Sequence, residues 1–349
     1  MTDLLIMLLL FLVMLFCVVF QAKIHPEGNP GFFDKRNANA LRGLWCIIVI
    51  LVHIPAQYGN ALQDMAGSFA YIGVTFYFLA SGFGLSLKGL QKGFWRKRLP
   101  KLLLPQLLIN LCSILLFGVF LGQTPTVMSF LWVARWLRWL LFCYFLFWLV
   151  HKLCKNKAMA NGIIGIGIFL FSITNYSLKR AGILTETIWP TEIFGFLWGV
   201  LLAAVFSGFQ RFGRKKWAAK AAILWGAALI LGVVYLKCKS VAFWGDYLLK
   251  TALGLGILAF LLFINTKISI GNKALDFLGN ISYEMYLSHT VVISLLSRLL
   301  PDVSSGVFIL LVLSGSLVLS ALVWYVSRLL LKNYWRSSSL GSSVSNDTN

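Results

Sequence analysis

The sequence predicts an all-α protein, a polytopic transmembrane helical bundle, on three observations. Long apolar segments recur along the chain, charge is scarce, and the charge present crowds into alternate loops. Hydrophobic residues make up 59% of the chain and charged residues 12%, where a soluble domain carries about 25% charged residues. Mean hydropathy is +0.82. A spanning helix needs about 20 mainly apolar residues, and Leu4–Phe20, apolar throughout, is the first of a series of such runs. Helices are expected because lipid offers a free backbone no hydrogen-bond partner. A β-barrel would show shorter, alternating segments.

Spans are expected near 4–22, 41–58, 67–87, 102–121, 128–150, 160–176, 188–207, 218–236, 247–265, 281–300 and 306–331. Residues 1–40 read as an N-terminal membrane anchor and linker. Residues 41–331 form the main transmembrane domain, and 332–349 a polar, Ser-rich tail expected to be disordered. Thr2 and Asp3 precede the first span where a signal peptide would carry a basic segment, so a retained anchor is expected.

The basic residues test the span count. Lys23, Lys35 and Arg36 precede the second span. Every second loop after it holds Lys88–Lys101, Lys152–Lys157, Arg211–Lys220, and Lys267 with Lys273, and Arg328, Lys332 and Arg336 follow. Most of the 31 basic residues thus fall on one side. Lys and Arg crowd cytoplasmic loops, which predicts the N-terminus outside and the C-terminus inside, and a cell-membrane location is expected. The same rule accounts for the net charge of +20 without nucleic acid as a partner. The six cysteines form no CxxC pair, and neither a metal nor a disulfide framework is expected.

Ionisable groups inside a membrane are costly and usually functional. Arg42 lies at the cytoplasmic mouth of the second span. His53 follows eleven residues later, about 16 Å deeper on a helix and near the bilayer midplane. Pro55 cannot donate to the carbonyl of Leu51, so a kink is expected there. The histidine serves either chemistry or an interhelical bond. In the next span Ser81, Gly82 and Gly84 allow close approach of a ligand or another helix. The loop beyond holds Arg96, Arg98 and Lys101, which either set topology or hold phosphate. Late in the chain, Ser282, Tyr286 and His289 share one helical face beside Tyr283. That polar face serves a substrate or helix packing.

Taken together these segments resemble the membrane acyltransferase-3 family, whose members O-acylate cell-surface polysaccharides and related acceptors. Leu41-Arg42-Gly43 with His53 matches the family's opening pattern. Gly73-Val74, Phe76, Phe78 and Ser81-Gly82-Phe83 follow its second helix. Arg96, Arg98, Lys101 and Pro105 loosely match its basic stretch, and Ile281-Ser282-Tyr283, Tyr286-Leu287 and His289 its late motif. Two departures stand out. Lys101 replaces an Arg, and Leu131–Arg138 lacks the acidic residue that many members carry in mid-chain.

The resemblance implies a ten-helix core plus one extra N-terminal span. It implies acyl-CoA, with acetyl-CoA expected, as the donor on the cytoplasmic side and no metal. The acceptor would be a hydroxyl of a cell-surface glycan or related molecule. Arg96, Arg98 and Lys101 would hold the donor phosphates, and Ser81 and Gly82 would line the acyl path. His53 would act as general base or as transient acyl carrier. Arg42 would orient the donor or stabilise developing negative charge. A transporter or flippase for a lipid-linked glycan is the rival reading, since it too needs many spans and few buried polar groups.

Overall fold

The computed structural model describes residues 2–124 and 126–344. The described chain is helical almost throughout, with one short antiparallel strand pair. The helices are α1 (Thr2–Val19), α2 (Lys35–Val52), α3 (Ala61–Gly67), α4 (Ala70–Lys88), α5 (Phe94–Leu121), α6 (Val127–Leu131), α7 (Arg135–Leu153), α8 (Lys157–Arg180), α9 (Phe194–Phe212), α10 (Trp217–Cys238), α11 (Lys250–Asn265), α12 (Lys273–Leu299) and α13 (Ser305–Val344). β1 (Lys23–Ile24) pairs with β2 (Ile268–Ser269), Lys23 opposite Ser269. Every expected span corresponds to a helix, with shifted ends. The tail expected to be irregular from 332 continues α13 to Val344, and its last five residues lie outside the described residues.

Among the described residues eight helical segments are long and apolar enough to cross a membrane, α3 and α4 acting as one of them. The protein is therefore an integral membrane protein. α10 turns Ile223, Trp225, Ile230 and Val233 outward, and α1 does the same with Leu5, Leu9 and Phe16. Such surfaces suit lipid, not water. α2 and α12 fall outside that set because they are more polar: Lys35, Arg36 and Arg42 interrupt α2, and Asn280, Ser282, Glu284, Ser288 and His289 sit within α12. These two helices pack along each other inside the bundle.

Glycines set the closest approaches. A Cβ on Gly279 of α12 would collide with the carbonyl of Asn39 on α2. α4 and α9 meet in the same way, with Gly82 against the Phe196 carbonyl and Gly199 against that of Leu79. Small residues are how helices approach in lipid, where no hydrophobic force drives them together. Gly82 is thus where α4 packs against α9.

The end of α2 differs from the expected kink. Pro55 has no N–H for the carbonyl of Leu51, and the chain leaves the helix at Val52 with His53 as its C-cap. Gln63 Nε2 donates to the Leu51 carbonyl at 2.5 Å instead. His53 therefore stands at a helix end, not within a continuous span over 41–58.

Gly199→Val is expected to lower the thermal unfolding midpoint of the purified protein, since overpacking costs about 1–3 kcal/mol. Gly208→Ala, on the same helix where nothing lies within 4 Å, should leave that midpoint unchanged or raise it. Melting curves in detergent compare the two.

Candidate active site

α2 and α12 bring two histidines together, away from the basic stretch Lys88–Lys101, where Arg96, Arg98 and Lys101 lie on the first turns of α5 and not in the expected loop. The rings of His53 and His289 lie 4.7 Å apart, edge to face. Each ring bonds the carbonyl one turn back. His53 Nδ1 donates to Val49 O at 2.8 Å, and His289 Nδ1 to Met285 O at 3.2 Å. A carbonyl only accepts, so in the neutral rings the proton sits on Nδ1 and Nε2 keeps its lone pair. His289 Nε2 is buried without a partner.

Both rings line a cavity of about 640 Å³ between α5, α6, α7 and α12. Trp132, Trp136 and Trp189 form much of its wall, with Ser113, Ser129 and Thr187 among the polar groups. A second chamber of about 330 Å³ lies between α2, α4 and the segment leading into α9. His53, Thr187, Trp189 and Tyr286 border both spaces. The histidine at the end of α2 thus stands at their junction.

The roof of the larger cavity is pinned from below. Gln106 Nε2 donates to Asn110 Oδ1 at 2.8 Å. Asn110 Nδ2 in turn donates to the carbonyls of Phe130 and Trp132, at 2.8 and 2.7 Å. These two amides satisfy backbone groups of the segment that ends α6, which lipid could not. Arg135, at the start of α7, pairs with Glu186 at 3.2 Å. An acidic group from another loop therefore reaches the stretch that has none of its own.

Toward the opposite end, Tyr77 donates to the carbonyl of Arg42 at 3.0 Å. Tyr144 lies within electrostatic reach of Arg42 and Arg98 and interacts with Ser81. Arg98 also stacks over the Phe94 ring at 4.8 Å. Among the described residues the ion pairs are Arg135–Glu186, Arg180–Asp246 and Lys250–Glu192, so neither Arg42 nor Arg98 has an acidic partner there. Lys88, Lys97, Arg98 and Lys101 line a recess of about 120 Å³ at the mouth. Between this basic region and the histidines stand the rings of Tyr77, Trp136 and Tyr286, with Trp136 and Tyr286 centroids 4.7 Å apart. Trp136 Nε1 is buried with no partner.

The model of the acyltransferase-3 family, described as an acyltransferase domain, matches residues 35–325. The chain belongs to this family. It is an integral membrane acyltransferase, which sets aside the transporter reading. No curated protein and no solved structure matches it. Among the described residues no group of three or more His, Cys, Asp or Glu side chains could hold a metal ion.

Several predicted site residues of the acyltransferase do come together. His53, Tyr286 and His289 line one cavity. Arg98 and Lys101 share the basic recess, but Arg96 is not among its lining residues and Lys97 takes that place. Arg42 stays near Tyr77 and Tyr144. Eleven helical residues separate it from His53, about 16 Å, so it does not touch the histidine pair. Ser282 donates to the carbonyl of Gly279 within its own helix. Tyr283 donates to the carbonyl of Leu102 on α5 at 2.8 Å and anchors that helix. Sequence reasoning missed Gln106, Asn110, Glu192 and Lys250. For the two amides there was a signal, as polar residues inside the otherwise apolar run of α5.

Asn110→Leu should free the roof of the cavity, since it leaves the Phe130 and Trp132 carbonyls without their donor. Faster amide exchange across residues 126–134 is the expected result, with α8 and α9 unchanged. Equal protection in the variant would count against the pinning.

Proposed function

We propose that this protein transfers an acyl group, acetyl in the first instance, from acyl-CoA on the cytoplasmic face of the cell membrane to a glycan hydroxyl outside. His53 is the general base. The observation that carries this reading is the pair of imidazoles with free Nε2 atoms beside a cavity walled by tryptophans. Indole faces and small hydroxyl groups suit a sugar ring, which offers apolar C–H faces and a rim of hydroxyls.

The donor enters from the basic end. Lys88, Lys97, Arg98 and Lys101 offer positive charge to its phosphates, and Arg42, without an acidic partner, extends that field inward. The thioester lies at the far end of the donor's flexible arm and passes the ring cluster of Tyr77, Trp136 and Tyr286. His53 Nε2 takes the proton of the acceptor hydroxyl, whose oxygen attacks the thioester carbonyl carbon. The C–S bond breaks, the thiolate leaves, and the imidazolium returns the proton to sulfur. The free Trp136 Nε1–H suits a donor to the carbonyl oxygen as charge develops there. His289 flanks the base and limits where the acceptor hydroxyl can sit.

His53→Gln is expected to lower kcat by about 10²–10⁴, the span of general base catalysis, while the protein still inserts and melts as the wild type does. Wild-type activity in that variant would end the mechanism. Arg98→Ala with Lys101→Ala should raise the donor KM about tenfold, with the difference shrinking at high ionic strength. An unchanged donor KM would leave those charges to topology alone. Radiolabelled acetyl-CoA with isolated surface glycan measures both.

A further inference from the structure

The second chamber beside His53 has a charged wall. Lys250 Nζ donates to Glu192 Oε1 at 2.7 Å, and Thr191 Oγ1 donates to Glu192 Oε2 at 2.9 Å. Glu192 is only 4% exposed. Lys250 also lies over the ring of Tyr71 at 4.9 Å, and the Tyr71 hydroxyl is buried with no partner. Removing two charges from water costs several kcal/mol per ion, and a well-packed apolar pair often does as well for stability. A buried pair in a membrane protein calls for a use.

The local backbone supports one. Lys250 follows a π-helical turn, Trp244–Leu249, a distortion frequent at functional sites. Phe243 enters that turn in the left-handed region at φ 66°. Asp246 Oδ1 holds it there, accepting from Phe243 N at 2.7 Å and from the Tyr176 hydroxyl at 2.8 Å. Non-glycine residues adopt this region at a cost that the surroundings must offset.

The groups left free define the ligand. The carboxylate can accept more bonds, the ammonium can donate more, and the Tyr71 hydroxyl can do either. Neighbouring hydroxyls on a sugar ring match that set. An acyl chain would gain nothing from it, and a phosphate would meet the carboxylate. Because His53, Thr187, Trp189 and Tyr286 border both chambers, one ligand can occupy both and pass the imidazole on the way. We propose that the chamber around Glu192 and Lys250 is a second sugar subsite. The acceptor is then an oligosaccharide gripped on both sides of His53, with the hydroxyl to be acylated at the junction. This rests on the glycan-acceptor reading above.

The test uses the purified full chain, saturating acetyl-CoA, and surface-glycan fragments of one, two and four sugars. Acceptor KM should fall at least tenfold from one sugar to two or more. Glu192→Gln combined with Lys250→Met, and separately Tyr71→Phe, should raise the oligosaccharide KM about tenfold. Both should leave the KM for the single sugar and for the donor unchanged. The length series on the wild-type protein needs no variant to fold. Equal KM at every length, or folded variants with unaltered oligosaccharide KM, would overturn the subsite and leave the glycan reading standing. Acetyl transfer to a non-sugar hydroxyl but to no fragment would overturn both.

Discussion

The contact of α2 with α12 is the constraint on which the rest of the structure depends. Both helices are too polar to face lipid, so each needs the other and the surrounding bundle to cover it. Gly43 and Gly279 let their backbones approach within side-chain reach, Gly279 against the carbonyl of Asn39 and Gly43 against Leu278. That approach is what brings His53 and His289 to 4.7 Å. Wider spacing would part the two imidazoles and open the wall of the larger cavity.

A membrane interior makes every unsatisfied backbone group costly, and this protein uses that cost to shape its site. Where Pro55 removes a donor, the chain supplies Gln63, and the helix ends at the histidine instead of bending past it. Where the segment after α6 lacks helical bonds, Asn110 supplies two of them and holds a roof over the cavity. Irregular backbone is tolerated at this depth only where protein covers it or a cavity adjoins it. Here both hold, so the Gln106 and Asn110 amides that secure the backbone line the same cavity as the two histidines.

The same separation organises the route between the two ends. Unpaired cations gather at the end rich in Lys and Arg, free imidazole nitrogens at the other, and three large aromatic rings stand between them. Packed rings with centroids 4.7–6.2 Å apart close the space between the two ends.

Much of this was legible in the chain itself. Apolar run lengths reported the helices, because bilayer thickness imposes them. The motif residues Arg42, His53 and His289 reported the family, because their spacing is local to single helices. The sequence by itself determined that the protein is a helical membrane acyltransferase and which histidines it carries. Only the tertiary structure decided that His53 caps a helix between two chambers, that Gly82 packs and Tyr283 anchors, and that Glu192 meets Lys250. Those facts depend on contacts between helices far apart in sequence. Helical periodicity tells which face a residue occupies, but not which neighbour that face will meet.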